Sequence, residues 1–166
     1  YWSGDGGLAP RILLTAGARL VALDASTGAP ATGFGRNGIV EIGVPWNGVP
    51  TIYRNIAILG ATTGEIALGV PGDTRAFDIR TGKHLWDFHT VPLPGDPGHD
   101  TWLDHGWRNR SGVNVWARYM TFDEERGILY MPVAGPAGKY WGGDRPGSNL
   151  FANSLVAVNA ETGNYL

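Results

Sequence analysis

Leu20-Val-Ala-Leu-Asp-Ala-Ser-Thr-Gly28, Thr74-Arg-Ala-Phe-Asp-Ile-Arg-Thr-Gly82 and Leu155-Val-Ala-Val-Asn-Ala-Glu-Thr-Gly163 are three copies of one pattern, Ala-x-Asp/Asn-x-x-Thr-Gly. Each copy reads as a strand with alternate positions buried, closed by a tight turn. In such a turn the Asp or Asn side chain accepts from backbone N–H groups and Gly supplies a positive φ. After the second copy the run Lys83-His-Leu-Trp-Asp-Phe88 has strand character, so that unit is predicted to be a β-hairpin. Further short strands are predicted at Arg11 to Leu14, Thr51 to Leu59, Val115 to Phe122 and Ile128 to Val133.

Helical periodicity is weak throughout, and Pro45, Pro50, Pro92, Pro94, Pro97, Pro132, Pro136 and Pro146 would interrupt most long helices. A repeat of short antiparallel strands, four per unit with a hairpin signature in each, predicts an all-β fold: a propeller of radial blades, about three of them over residues 1–166. A two-sheet sandwich is the alternative, but it gives no reason for the motif to recur. The 26 glycines and 11 prolines lie between apolar runs, where they make turns rather than disorder.

A net charge of −2 and the lack of any Lys/Arg cluster argue against nucleic acid or an anionic membrane surface as the main partner, because both are bound through cationic contacts. Without cysteine there is no disulfide, thiolate metal site or cysteine nucleophile, so redox chemistry would need a borrowed cofactor. No apolar run reaches the ~18 to 20 residues that span a bilayer as a helix, and no charged start leads into an apolar core and cleavage site. The sequence begins at Tyr1 and stops at Leu166 inside a strand-rich repeat, so both ends read as cuts and missing targeting signals mean little.

Ala76-Phe-Asp78-Ile-Arg-Thr81-Gly82-Lys-His-Leu-Trp86 resembles the Ala-x-Asp-x-x-Thr-Gly-x-x-x-Trp docking motif of pyrroloquinoline quinone (PQQ) dependent quinoproteins, in which tryptophans lock neighbouring blades. In the first copy Thr32 stands where the Trp would be, and the third copy stops one residue before that position. Tyr1-Trp-Ser-Gly-Asp-Gly6 resembles the Tyr-Trp-x-Gly-Asp-Gly of quinoprotein dehydrogenases, and Trp141-Gly-Gly-Asp-Arg-Pro146 with Asn153-Ser-Leu-Val-Ala-Val158 resembles a later blade of the membrane-associated glucose dehydrogenase branch. The resemblance implies an eight-bladed propeller whose remaining blades lie outside this sequence. It also implies oxidation of a sugar or alcohol hydroxyl, electrons passed to a quinone or cytochrome, and a periplasmic or periplasm-facing location. The wording of residues 111–158 tilts the substrate toward glucose. The alternative class is a non-catalytic propeller of the same repeats that serves as a protein-binding assembly scaffold.

PQQ is a flat, tricarboxylated ortho-quinone, so its site needs an aromatic floor, donors for carboxylates and a calcium ion held by hard oxygen ligands. Trp116, in Ser111-Gly-Val-Asn114-Val-Trp116-Ala, resembles the stacking Trp of glucose-type enzymes, and a Trp face is large and rigid enough for that role. The alternative is that Trp116 fills space between blades, as Trp86 is expected to do. Asn114 belongs to the same cofactor-binding segment. Thr62-Thr63-Gly64-Glu65 resembles the Ser-Gly-Ala-Glu segment of alcohol-oxidising relatives, which makes Thr63 and Gly64 cofactor-contact candidates and Glu65 the calcium candidate. Those relatives carry a second ligand, an Asn just before Pro-Ala, where this chain has Gly135-Pro136-Ala137. The family's general-base Asp is expected in a His-Asp-x-Trp-Asp segment beyond Leu166. No catalytic residue is assigned within the chain: Asp78, Asp123 and Asp144 read as a repeat turn, a strand cap and a loop acid. His99 and His105, in the long loop from Val91 to Arg110, are assigned no catalytic role.

A propeller cut to about three blades leaves apolar faces that neighbouring blades would cover, and repeat proteins draw much of their stability from such faces. The isolated chain is therefore expected to be marginal or to aggregate; a sharp cooperative thermal transition from a dilute monomeric sample would contradict this.

Overall fold

In the computed structural model, which describes residues 1–116, 119–138 and 140–166, the repeated turn has the same geometry three times. Asp24 Oδ1 accepts from the N–H groups of Ser26 and Thr27, each at 2.9 Å. Asp78 Oδ1 accepts from Arg80 N and Thr81 N at 2.9 and 2.8 Å, and Asn159 Oδ1 from Glu161 N and Thr162 N at 2.9 and 3.0 Å. Each Thr hydroxyl then accepts from the backbone N–H two residues on, which explains why Thr recurs at that place. The glycines that follow have φ of 73°, 77° and 73°, a region that costs L side chains energy. Collecting donors from Ser26 and Thr27 lowers the Asp24 carboxyl to about 2. Burial opposes ionisation of Asp78, but hydrogen bonds from Arg80 and Thr81 outweigh it and hold that carboxyl below its ordinary range.

These turns close strands of three antiparallel sheets. The first contains β1 (Arg11–Ala16), β2 (Arg19–Asp24) and β3 (Ile39–Glu41), in that order. The second is β4 (Thr51–Tyr53), β5 (Ile56–Leu59), β6 (Thr74–Asp78) and β7 (His84–Phe88). The third orders β8 (Thr121–Asp123), β9 (Ile128–Val133) and β10 (Ser154–Asn159) as β10-β9-β8. Single bridges, Trp2 to Arg11 and Tyr165 to Val158, mark the fourth strand of the first and third units. The all-β, three-blade expectation is met, and β9 has the expected bounds. Two expected strands are corrected. Thr51 to Leu59 is a hairpin, because Arg54 takes φ 50° and reverses the chain. Val115 to Phe122 is strand only from Thr121 onward; Val115 makes one bridge to Val133, and residues 117 and 118 lie outside the described residues. The long loop carries two 3-10 turns, His99–Thr101 and Leu103–His105.

The turn glycines also join the sheets. A Cβ on Gly163 would lie 2.6 Å from the Trp86 ring, so the missing side chain is what lets Trp86 of the second sheet lie against the third. Trp86 is 7% exposed, as a blade-locking residue should be. At the first interface, where Thr32 replaces the Trp, a buried arginine does the joining. Arg11 donates to the carbonyls of Ile79 (2.6 Å), Arg80 (2.8 Å) and Thr32 (2.9 Å), and Gly35 N donates to Thr81 O at 2.9 Å. A Cβ on Gly82 would strike Val40 at 2.5 Å, the counterpart of the Gly163 contact. Tyr53 of β4 stacks on Phe122 of β8 at 5.1 Å, closing the second and third sheets at their first strands.

Two stability outcomes follow from these contacts. Gly163→Ala meets both the φ penalty and the Trp86 ring and is expected to cost about 2–4 kcal/mol, whereas Gly28→Ala, with nothing within 4 Å of its Cβ, should cost about 1 kcal/mol. Equal losses in urea unfolding would contradict docking through Gly163. Separately, burial pushes the Asp73 carboxyl up to about 6, with His89, the Thr90 N–H and Arg75 pulling the other way and Asp87 adding to the push. The folded state holds this proton more tightly, so the group's contribution is present below the unfolded pKa near 4 and is lost as pH rises through about 6. Asp73→Asn, whose amide oxygen can keep the Thr90 N–H bond, is expected to add about 1–3 kcal/mol near pH 7.5 and little near about pH 4. An unchanged urea midpoint at the higher pH would contradict it.

Candidate functional site

Loops that follow equivalent strands in the second and third sheets meet across one cavity of about 710 Å³, within the range typical of ligand sites. After β5 the chain runs through Gly60 to Thr62-Thr63-Gly64-Glu65; after β9 it runs through Ala134 to Gly135-Pro136-Ala137. The segment 111–116 lies against that second loop. Val113 N donates to Gly135 O (3.1 Å), Ala134 N to Asn114 O (2.9 Å), Ala137 N to Ser111 O (3.0 Å) and Trp116 N to Pro132 O (2.9 Å). Gly112 must be glycine for this, since φ is 86° and a Cβ would lie 2.2 Å from Ala137 N.

All five residues singled out in the sequence line this cavity: Thr63, Gly64, Glu65, Asn114 and Trp116. The Thr63 hydroxyl donates to Asn114 Oδ1 at 3.1 Å, which ties the first loop to the second wall. Trp116 is 59% exposed, whereas Trp86 is 7% exposed and lies against Gly163. His99 and His105 are not among the lining residues; His99 Nδ1 pairs with the Pro92 carbonyl at 2.9 Å, and the described residues hold no cluster of three or more His, Cys, Asp or Glu side chains suited to a metal. Asp78, Asp123 and Asp144 are engaged in a repeat turn, a cap on the Arg126 N–H and an ion pair with Arg110.

Trp46, Arg145 and Asn153 also line the cavity and have no site role in the sequence reading. Trp46 stands five residues before Thr51, as Trp116 stands five before Thr121, so the two tryptophans are equivalent positions of successive units. Counting back from the first strand of each sheet would have found it. Unlike Trp116, Trp46 is 2% exposed, wedged where a Cβ on Gly48 or Gly60 would strike its ring. Arg75 fixes that wall, donating to Gly60 O at 2.6 Å, to Val44 O at 3.1 Å and to Ile42 O. Arg145 and Asn153 also line the cavity, from a Gly/Pro-rich loop whose sequence carries no directional signal.

The match to known proteins covers the whole chain: residues 1–166 fit the family profile described as PQQ glucose/ethanol/alcohol dehydrogenase, beta-propeller domain. The chain belongs to that family. Quinoprotein glucose dehydrogenase A of Acinetobacter calcoaceticus is 34% identical over 160 residues, 87% of this chain and 19% of that protein. Quinohemoprotein alcohol dehydrogenase ADH-IIG of Pseudomonas putida is 31% identical over 161 residues, 89% of this chain and 22% of that protein. The crystal structure of quinohemoprotein alcohol dehydrogenase from Comamonas testosteroni matches with a TM-score of 0.77 at 27% identity, over 94% of this chain and 25% of that one. The chain thus spans about a fifth of the length of the curated relatives it matches.

The cavity suits the family's quinone. It has an exposed indole at Trp116, a hydroxyl at Thr63, a glycine backbone at Gly64 and room for a three-ring ligand. The lining side chains that carry oxygens of the kind a hard cation would need are Glu65, Asn114 and Asn153. Gly135 supplies none, but a Cβ there would sit 3.2 Å from Asn153 Oδ1, so the Asn153 amide occupies the space that a side chain at 135 would enter.

Proposed function

We propose that this chain is part of an eight-bladed PQQ-dependent dehydrogenase that oxidises a sugar or alcohol hydroxyl, and that its cavity forms one side of the cofactor site. The observation that supports this is convergence: Thr63 to Glu65 and Asn114 with Trp116 come from two segments about 50 residues apart and line one cavity. A purely structural propeller needs the turn motifs but not an exposed Trp facing a cavity. Relatives named for glucose and for alcohols match about equally well, so the substrate class is sugar or alcohol, with glucose favoured by the wording of residues 111–158.

In this reading Trp116 would offer its face to the quinone, with Thr63, Gly64 and Asn114 beside it. Glu65 would offer a carboxylate oxygen to a calcium ion, with amide oxygen from Asn114 or Asn153 as this chain's further share. Bound there, PQQ would supply a two-electron acceptor and calcium a Lewis acid. The base that removes the hydroxyl proton comes from a blade outside this sequence, as do further cofactor contacts. Electrons leave to a quinone or a cytochrome, and the location is periplasmic or periplasm-facing.

The complete polypeptide, titrated with PQQ and Ca²⁺ during dye-linked oxidation of glucose and simple alcohols, is expected to need both additions. Trp116→Ala should weaken PQQ binding by about tenfold or more, as loss of an aromatic platform does, and Glu65→Gln should raise the calcium requirement. Failure to bind PQQ with or without calcium would move the function to the protein-binding scaffold.

A further inference from the structure

We propose that Asn47 is a site of spontaneous covalent modification, converted through a succinimide to aspartate and isoaspartate, and that the fold selects it over Asn37. This goes beyond the cofactor reading and does not rest on it.

Asn-Gly occurs twice in the chain, at Asn37-Gly38 and at Asn47-Gly48. In this dipeptide the main-chain nitrogen after the Asn can attack the side-chain carboxamide, and glycine hinders ring closure least because it has no Cβ and the widest choice of φ and ψ. Both Asn residues are exposed, and neither carboxamide has a hydrogen-bond partner among the described residues.

The two nucleophiles differ. Gly38 N donates to Phe34 O at 2.9 Å, and Gly38 O accepts from Ala22 N at 2.9 Å. A Cβ on Gly38 would lie 2.9 Å from Ala22 O, so that glycine is enclosed, and Asn37 sits in the same turn at φ 53°. Gly48 is hydrogen-bonded at its carbonyl alone, by the Thr15 hydroxyl at 2.9 Å. Among the described residues neither Gly48 N nor Val49 N has an acceptor, and Pro50 carries no N–H. Attack by Gly48 N therefore breaks no hydrogen bond, whereas attack by Gly38 N must first break one.

In the reaction Gly48 N bonds to Asn47 Cγ, its proton passes through solvent to the amide nitrogen, and that nitrogen leaves as ammonia, closing an imide ring. Water then adds to either imide carbonyl. Opening at Cγ leaves aspartate; opening at the main-chain carbonyl leaves isoaspartate, in which the chain runs through Cγ and gains a methylene. Water is consumed, ammonia is lost, and no oxidant is needed.

Asn47 N donates to Thr62 Oγ1 at 3.0 Å and Thr62 N to Pro45 O at 2.6 Å, which ties this segment to the residue before Thr63-Gly64-Glu65. Gly48 lies against the Trp46 ring, where a Cβ would come within 2.3 Å. A methylene inserted between Asn47 and Gly48 shifts one contact against the other, so isoaspartate at 47 loosens the wall that Trp46 and Thr62 give the cavity.

The test holds the complete polypeptide, folded, in mildly alkaline buffer and follows amide-to-acid conversion at each Asn by peptide mass spectrometry, with isoaspartate scored by electron-transfer fragmentation. Asn47 is expected to convert about fivefold or more faster than Asn37, the worth of the bond that holds Gly38 N, and the two rates should converge in urea. Equal rates in the folded protein, faster conversion at Asn37 or no conversion at Asn47 would overturn the assignment. A difference that persists in urea would trace to flanking sequence instead of structure and overturns it too. In the isoaspartyl form, separated by anion exchange, residues 62–65 should exchange amide hydrogens faster than in the unmodified protein; unchanged exchange there would overturn the loosened wall.

Discussion

The glycines that end the second and third Asp/Asn-x-x-Thr-Gly turns, Gly82 and Gly163, are the contacts on which the rest depends. The carboxylate or amide four residues earlier collects the loose N–H groups, so the turn is satisfied internally. That frees the glycine, with positive φ and no Cβ, to be approached by the neighbouring unit. Trp86 lies against Gly163, and Val40 with Gly35 lies against Gly82. Side chains at those two positions would push the sheets apart, and the cavity, whose walls come from two sheets, would open with them.

The cavity is a product of the repeat and of its divergence. Trp46 and Trp116 hold the same place before the first strand of successive sheets, yet one is buried in a wall and the other faces out. Gly48 and Gly60 make the difference for Trp46, since any side chain there would strike its ring. A fixed scaffold position thus supplies structure in one unit and an exposed aromatic ring in the next. Buried arginines brace the same frame: Arg11 and Arg75 spend their Nη donors on backbone carbonyls.

What the sequence made legible were features with a local chemical cause. The three turns, β9 and the hairpin after Thr81-Gly82 follow from alternation and from donors within three residues. The split of Thr51 to Leu59 was hidden because Arg54-Asn55 lacks glycine and still turns through a positive φ at Arg54. β3 was missed because the first copy enters it through the long Gly-rich stretch 28–38 rather than directly. Of the site, Trp116, Asn114 and Thr63 to Glu65 were found by likeness of their short contexts, and the structure brings them together. Arg145 and Asn153 were not, because their direction is set by distant partners, Arg110 with Asp144 and the bare backbone at Gly135.

The proposed function rests on one physical point: the exposed indole at the edge of a two-sheet cavity would be the floor for a flat quinone. A crystal structure of the complete polypeptide grown with PQQ and Ca²⁺ tests it most directly. The expected result is the three-ring system parallel to Trp116 at van der Waals distance, about 3.5–4 Å, between the loops that carry Glu65 and Gly135. Density for PQQ elsewhere, or a Trp116 covered by another blade with the cavity filled by protein, would contradict it.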